Sequence, residues 1–309
     1  MRLGAQLNAI TSKRLLGSAN AWAIPLANAQ TVDAPQWVQV LANVAAAVAA
    51  EKGVKAPVAG VATAQAQAMA RSMMGGERKA ILLGNAAAHH ANASSLLALA
   101  NWIAEQTGAS IGYLTEAANT VGAQWVGAQP LAAGLNAGQM LTGGLKAAVL
   151  LNTEPEFDST AGALAKESLA KVDLVVTLSP FKANMAFSDV LLPIAPFTET
   201  SGSFVNAEGR LQSFHAVAKP LGETRPGWKV LRVLGNLLGL PGFEFETSQQ
   251  VLAVATAAPL QLSNATRAAI MLDASATEPV VASIYQLDSL VRRAPSLQQT
   301  ADAREGVAA

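Results

Sequence analysis

Short apolar runs alternate with helical patterns through the middle of the chain. The runs fall at residues 79–85, 110–114, 145–151, 172–178 and 190–194. Aliphatic runs of this length, ended by glycine or polar turns, are typical of strands buried in a parallel sheet. Because helical patterns separate them, the sequence predicts an α/β fold with a parallel sheet and helices on both of its faces.

Helical patterns also flank this alternating region. Helices are predicted at residues 34–52, 62–73, 94–106, 161–170, 228–238, 247–255, 265–272 and 288–298, with a helical turn at 182–187. An extended piece is predicted at 280–285, a loop at 122–138, and irregular or frayed chain at 1–30 and 301–309. These patterns predict a helical lead-in of a truncated domain (1–76), an α/β region (77–240) and a mainly helical carboxyl-terminal tail (241–309).

The composition narrows the class of protein. The chain is 51% hydrophobic and 14% charged, with 21 basic and 21 acidic residues, which favours a large core and excludes a disordered or nucleic-acid-binding chain. It has no cysteine, which excludes disulfides, thiolate zinc sites and cysteine-ligated iron–sulphur clusters within these residues. The most apolar helical window, 38–50, is too short to span a bilayer, and residues 1–30 lack the apolar core of a signal peptide.

Three polar features are weaker functional candidates. The turn at Gly84 follows a predicted strand and could bind phosphate, but the full GxGxxG pattern is missing, so a helix-entry turn is favoured. His89 and His90 are adjacent and point in different directions, and together with His215 they show no metal-binding spacing, so a partly exposed helix start is expected for the pair. Residues 152–155 fit the ligand-binding edge of an α/β sheet and an ordinary β-turn equally well.

The strongest cluster lies in a glycine-rich loop predicted at 197–220, directly after a predicted strand. It contains Glu199, Asn206, Glu208 and Arg210. The glutamates and Arg210 could pair with one another as a structural clasp, or Asn206 and Arg210 could bind a polar cofactor. Because no catalytic triad, paired catalytic acids or nucleophilic cysteine is recognisable, a self-contained active site is not expected.

Several motifs in this region resemble one known family. They are LLNTEPEFDS, KVDLVVTLSPFKANMAFSDVLLPIAPFTETSGSFVNAEGRLQ and KPLGETRPGWKVLRVLGNLLGL, preceded by ILLGNAAAHH. The pattern is similar to that of the molybdopterin oxidoreductases, with Ser188 in place of the usual alanine and Ser203 in place of the usual threonine. The resemblance implies Rossmann-like parallel sheet layers of the formate dehydrogenase/DMSO reductase type.

The carboxyl-terminal motif SIYQLDSLVRRAPSLQQT, residues 283–300, resembles one branch of that family. This branch is the large iron–sulphur subunit of bacterial NADH-quinone oxidoreductase (respiratory complex I). The resemblance implies that the 4Fe-4S and 2Fe-2S clusters belong to a cysteine-rich amino-terminal region of the full subunit, so Met1 is expected to be a truncated start. It also implies that the molybdenum cofactor is lost, and that Glu199, Asn206, Glu208 and Arg210 are remnants of its pocket.

The function implied by the resemblance is that of a scaffold in the peripheral arm of the NADH-quinone oxidoreductase. The expected partners are other peripheral-arm subunits, without nucleic acid or membrane insertion, on the cytoplasmic side of the bacterial inner membrane. An apolar stripe of Leu287, Leu290, Val291, Ala294 and Leu297 is expected to dock on a partner or on the body of the fold.

Two other interpretations remain open. One is a fragment of an active molybdopterin-dependent oxidoreductase such as a formate dehydrogenase. Active relatives continue beyond the motif at 219–240 into a β-barrel cofactor-binding domain, whereas residues 242–309 are alanine-rich with little strand alternation. The other is a free-standing nucleotide-binding α/β protein, which would need a phosphate loop that the sequence does not show.

Overall fold

The computed structural model describes residues 4–12, 25–260, 269–272, 279–280 and 282–307. The chain divides into two compact units. Unit 1 comprises Met1–Glu116 and Leu262–Ala309, and unit 2 comprises Ala117–Gln261. The three-part division drawn from the sequence stays a prediction.

Unit 1 contains two pairs of parallel strands. β1 (Asn8–Thr11) pairs with β2 (Asn28–Thr31), and β3 (Ala80–Leu83) pairs with β4 (Ser110–Tyr113). β3 and β4 lie where the sequence predicts strands. β1 and β2 correct the prediction of irregular chain over residues 1–30 for the part that is described, while 1–3 and 13–24 lie outside the described residues. Their sequences, NAIT and NAQT, are rich in polar residues and give no aliphatic run by which a strand is recognised.

The first helices of unit 1 are α1 (Trp37–Lys52), α2 (Ala64–Met74), α3 (Asn85–Ala88) and α4 (Ala93–Thr107). A short 3-10 helix, Ala34–Gln36, leads into α1. Gly53 and Gly108 end α1 and α4 with φ of 66° and 71°, the left-handed conformation that glycine adopts without strain. Thr63 caps α2, because its hydroxyl accepts a hydrogen bond from the Ala66 amide at 3.2 Å. The three long predicted helices of this region are confirmed.

Helices α1, α2 and α4 build the hydrophobic core of unit 1. Its buried side chains include Val38, Val48, Met69, Leu99 and Ile103. The loop before α2 lies directly on α1: a Cβ added at Gly60 would be 2.4 Å from the carbonyl oxygen of Ala42. The Asn43 side-chain oxygen holds the same loop by accepting a hydrogen bond from the Val61 amide at 2.9 Å.

Unit 2 is built around a three-stranded parallel sheet. Its strands are β5 (Ala147–Leu151), β6 (Leu174–Ser179) and β7 (Val190–Pro193), with β6 in the centre. Two further strands, β8 (Gly202–Val205) and β9 (Leu211–Phe214), form an antiparallel hairpin. The three parallel strands confirm the prediction, whereas the hairpin was expected to be a loop.

The helices of unit 2 are α5 (Thr120–Trp125), α6 (Ala137–Leu141), α7 (Pro155–Asp158), α8 (Ala163–Leu169), α9 (Gly227–Leu237) and α10 (Ser248–Ala255). The last three confirm predicted helices. α5 and α6 correct the prediction of a loop at 122–138, where a capping box between Asn136 and Gln139 starts α6 despite the glycine-rich composition. At the helical turn predicted for 182–187, the structure has a single hydrogen-bonded turn, in which the amides of Phe187 and Ser188 donate to the Asn184 carbonyl at 3.1 and 3.0 Å.

The described residues from 284 to 307 include four short helical pieces. They are α11 (Ile284–Leu287), a 3-10 helix (Val291–Arg293), α12 (Pro295–Gln298) and α13 (Ala301–Val307). The continuous helix predicted at 288–298 is wrong, because Ala294 takes an extended conformation before Pro295, as a residue preceding proline tends to do. α11 also corrects part of the extended prediction at 280–285, and α13 corrects the frayed prediction at 301–309.

The fold class is confirmed as α/β, with several helices and small parallel sheets. The described parallel strands fall into three separate sheets instead of one. The helix predicted at 265–272 lies partly outside the described residues, and 269–272 are not helical. None of the described helices is long and apolar enough to cross a membrane.

Candidate functional site

The carboxyl ends of β5 and β6 are joined by a polar cluster. The side-chain amide of Asn184 donates to the Thr153 carbonyl at 3.0 Å and to the Thr177 hydroxyl at 3.4 Å. The Thr177 hydroxyl also lies 2.8 Å from that of Ser188. Thr177 is fully buried, so the cluster ties the two loops to the sheet at the edge where α/β proteins usually bind ligands.

Two asparagines adopt the left-handed backbone conformation in these loops. Asn152 has φ of 49° and Asn184 has φ of 58°. Asparagine tolerates this conformation better than most residues with a side chain. The prediction considered the segment of Asn152 but not Asn184, whose only sequence signal is a lone asparagine after a strand.

Residues 152–155 form the entry to a short helix. The Asp158 carboxylate accepts hydrogen bonds from the Glu154 amide at 2.7 Å and the Thr153 hydroxyl at 3.2 Å. Pro155 takes the first position of α7, where its missing N–H costs nothing. The segment therefore has a structural role, and its position at the carboxyl edge keeps both predicted interpretations open.

Asn206 shapes the turn of the β8–β9 hairpin. Its side-chain oxygen accepts hydrogen bonds from the amides of Glu208 at 3.1 Å and Arg210 at 2.9 Å. The backbone amide of Asn206 donates to the Arg210 carbonyl at 3.1 Å. Gly209 supplies the positive φ of 80° that the turn requires. Asn206 is therefore a turn-forming residue.

Glu199 holds the chain that follows the hairpin. It lies in a short 3-10 helix, Phe197–Glu199, and its carboxylate accepts a hydrogen bond from the Leu221 amide at 3.0 Å. Glu208 and Arg210 are exposed at the hairpin turn. Among the described residues, none of the ion pairs involves these glutamates or Arg210, so the predicted pairing of glutamate with arginine is not seen there. Glu199 and Asn206 instead bond to backbone amides.

The histidines have separate environments. His90 is buried, stacks on Trp37 with ring centroids 5.9 Å apart, and bonds through both nitrogens: Nε2 lies 3.0 Å from the Ala34 carbonyl oxygen, and Nδ1 accepts from the Asn92 amide at 2.9 Å. This corrects the expectation of a partly exposed helix start, because His90 is a core residue. In the described parts of the chain, no group of three or more histidine, cysteine, aspartate or glutamate residues could hold a metal ion.

His89 takes part in a pair that the sequence did not reveal. Its Nε2 lies 2.9 Å from the carboxylate of Glu116, so the chain segments after β3 and β4 are joined at their carboxyl edge. The pair spans 27 positions, which no local spacing indicates.

Nearby in sequence, burial raises the pKa of Tyr113 above its ordinary value. The Gly84 carbonyl accepts hydrogen bonds at the start of α3, which agrees with the favoured helix-entry turn.

The parallel strands and connecting helices define an α/β protein with polar carboxyl edges. Residues 18–237 match the profile of the family described as Molybdopterin oxidoreductase. This match covers well over half of the chain, and the chain belongs to the molybdopterin oxidoreductase family.

Similar proteins align over short stretches. A Staphylococcus aureus (strain bovine RF122 / ET3-1) protein named "Putative formate dehydrogenase" is 41% identical over 69 residues, which are 22% of this chain and 7% of that protein. "Probable oxidoreductase YjgC" of Bacillus subtilis (strain 168) is 40% identical over 70 residues, 22% of this chain and 7% of that protein. Another "Putative formate dehydrogenase", from Staphylococcus aureus (strain USA300), is 34% identical over 91 residues, 29% and 9% of the two chains. The matched stretches of the chain thus span less than a tenth of the length of these relatives.

The family implies a pterin cofactor that carries phosphate. Anionic phosphate is best bound by arginine, lysine or free amide donors. Of the four predicted pocket residues, two are glutamates, and Asn206 uses its side-chain oxygen inside the turn. Arg210 is the one cation among the four. As a set these residues do not fit an anionic pterin, and their descent from a former pocket stays a prediction.

Proposed function

We propose that this chain is a scaffold part of the peripheral arm of an NADH-quinone oxidoreductase, where it supports electron transfer without redox chemistry of its own. The observation that carries the proposal is the use of Glu199 and Asn206 by the protein's own backbone. Polar side chains that bond to the protein's own backbone stabilise its structure, as a scaffold requires. The resemblance of residues 283–300 to the complex I branch is the reason for proposing this particular complex.

The proposal extends to cofactors, partners and location. The iron–sulphur clusters would be held by another region of the full subunit, and a molybdenum cofactor would not be bound by this chain. The partners would be other peripheral-arm subunits on the cytoplasmic side of the bacterial inner membrane. The absence of a charge excess, with 21 basic and 21 acidic residues, supports a protein partner over nucleic acid.

A second function has its own support. Relatives carrying the words "formate dehydrogenase" in their names favour a fragment of an active molybdopterin-dependent oxidoreductase. In that case the polar cluster of Asn184, Thr153 and Thr177 would lie at the ligand-binding edge of the sheet, and the exposed Arg210 would be available to a phosphate.

Elemental analysis and absorbance separate the two functions. The purified chain, expressed in cells that make molybdenum cofactor, is expected to contain no stoichiometric molybdenum, iron or flavin. A known molybdoenzyme purified from the same cells is the control for cofactor supply. Stoichiometric molybdenum would overturn the scaffold proposal and favour the oxidoreductase. In parallel, the tagged chain is expected to co-purify with NADH-quinone oxidoreductase subunits, and its consistent absence from that complex would also contradict the proposal.

A further inference from the structure

A carboxyl-terminal segment of the chain contributes to the helical core of unit 1. Residues 117–261 form unit 2, and the chain after them belongs again to unit 1. In this returning part, the side chain of Ile270 is half-buried and packs against the core cluster. The other described members of the cluster lie between Ile10 and Ile103. We call the described residues 269–272 the strap, because they join a core whose other members are distant in the sequence.

A buried serine fixes the position of the strap on α4. The Ser95 hydroxyl accepts a hydrogen bond from the backbone amide of Met271 at 2.9 Å, across 176 positions of sequence. Ser95 lies in the first turn of α4 and is only 1% exposed, so the bond forms at a hydroxyl that is shielded from water. Because a buried hydroxyl costs free energy when it has no partner, Ser95 favours the position in which the strap is closed on α4.

The strap has few other attachments. Met271 and Leu272 are 59% and 39% exposed, and Ala269 is also exposed. Within the described part of the chain, the bond to Ser95 is the only hydrogen bond that residues 269–272 make. Helix α4, in contrast, buries seven of its 15 residues. Segments with few buried apolar contacts and few hydrogen bonds are those that open locally while the rest of a protein stays folded.

We propose that residues 269–272 are a strap that opens and closes on unit 1 while the helices of the unit stay folded, with Ser95 as the residue that holds it closed. Opening breaks the bond from Met271 to Ser95 and withdraws Ile270 from the core cluster. Unit 1 thereby exposes the apolar surface under Ile270 without unfolding. The inference concerns unit 1 alone and does not depend on the proposed function, so either can fail without the other.

Hydrogen exchange of the Met271 amide in the full chain measures the opening directly. Met271 is the only methionine that follows an isoleucine in the sequence, so isotope labels on the isoleucine carbonyl carbon and the methionine nitrogen select this one amide in the NMR spectrum. We expect it to be protected, but to exchange faster than the amide of Leu99 in α4. Its rate is also expected to be unchanged by low concentrations of urea, because opening of the strap exposes little surface.

Three outcomes of this measurement would overturn the inference. Equal rates for Met271 and Leu99, or rates that rise in parallel with urea, would show that the strap opens only when unit 1 unfolds. Exchange of Met271 as fast as in an unfolded peptide would show that the strap is not closed on α4.

A pair of serine substitutions tests how the strap is held. Ser95→Ala removes the acceptor and keeps a good helix former, so we expect the Met271 amide to exchange about two- to tenfold faster. Ser94→Ala is the matched control, because Ser94 is the exposed neighbour in the same turn of α4, and it is expected to leave the rate unchanged. An unchanged rate in Ser95→Ala, or equal changes in the two variants, would show that Ser95 does not hold the strap closed.

Discussion

Asn206 controls the β8–β9 turn through a single atom. Its side-chain oxygen accepts the amides of Glu208 and Arg210, which the turn would otherwise leave without these acceptors. Such side-chain to backbone bonds are how asparagine stabilises turns. Because Glu199 binds the Leu221 amide in a similar way, two of the most prominent polar residues of the chain act on the backbone.

Asn206→Ala is expected to lower the free energy of unfolding by about 0.5–1.5 kcal/mol, because two exposed amides exchange their acceptor for water. Asn206→Asp keeps an acceptor oxygen and is expected to retain most of the stability. Urea unfolding measures both. The control is Glu208→Ala, an exposed position of the same turn, where we expect a change within about 0.5 kcal/mol. If the alanine variants at 206 and 208 are equally destabilised, Asn206 has no special role.

The ionisation of Tyr113 is expected to lower the free energy of unfolding at high pH. Burial raises the pKa of Tyr113 in the folded state above its ordinary value of about 10. The neutral phenol is favoured by folding, so this contribution is complete below the unfolded pKa and is lost as the pH rises through the folded pKa. Tyr113→Phe removes this ionisation, so its unfolding free energy should fall less between pH 9 and roughly pH 12. Parallel pH profiles for the two proteins would contradict the assignment.

The sequence identifies the polar residues near the hairpin as candidate site residues, but it does not reveal what they bind. Glu199 and Asn206 were selected because polar residues among glycines after a strand suggest a ligand site. Whether such a residue binds a ligand or a backbone amide depends on the path of the chain. Asn184 and the pair of His89 with Glu116 were missed for a related reason, since each depends on contacts between segments that are distant in the sequence.

Elements with strong periodicity could be predicted, and elements made by pairing or by local caps could not. α1 and α4 have apolar faces and end at glycine, and β5 to β7 are aliphatic. β1 and β2 are short and polar, so they exist only as a pair. The hairpin strands β8 and β9 contain Gly202, and apolar and polar residues alternate only weakly along them. Pro295 divides the predicted last helix, a break that apolar periodicity alone concealed.

Gly60→Ala tests the contact between α1 and the loop before α2. The added Cβ would lie 2.4 Å from the Ala42 carbonyl oxygen, so the loop must move and weaken the bond from Val61 to Asn43. We expect a loss of about 1–3 kcal/mol in thermal or urea unfolding. Gly75→Ala is the matched control, because the atom nearest to its added Cβ would be 3.8 Å away. A stable Gly60→Ala protein would show that the loop is not fixed on α1.

At the scale of the whole molecule, family membership and fold class agree, and each unit has its own structural centre. Unit 1 is centred on the helical core around Leu99. Unit 2 is centred on a sheet with Leu178 and Val175 in its middle strand. The sequence predicted the parallel α/β class because alternation is a local signal. It did not predict the division after Glu116, because no change in composition marks it.

Paired core substitutions test whether the two units are stabilised separately. Leu99 in unit 1 and Leu178 in unit 2 are both fully buried, so replacement of either by alanine is expected to cost about 2–5 kcal/mol in its own unit. Hydrogen exchange of the full chain, followed by mass spectrometry, should show faster exchange in α1, α2 and α4 for Leu99→Ala and in β5, β6 and β7 for Leu178→Ala. Leu237→Ala, at a position that is 80% exposed, is the control and should leave both patterns unchanged. Faster exchange across both units from either core substitution would show that they unfold as one cooperative structure.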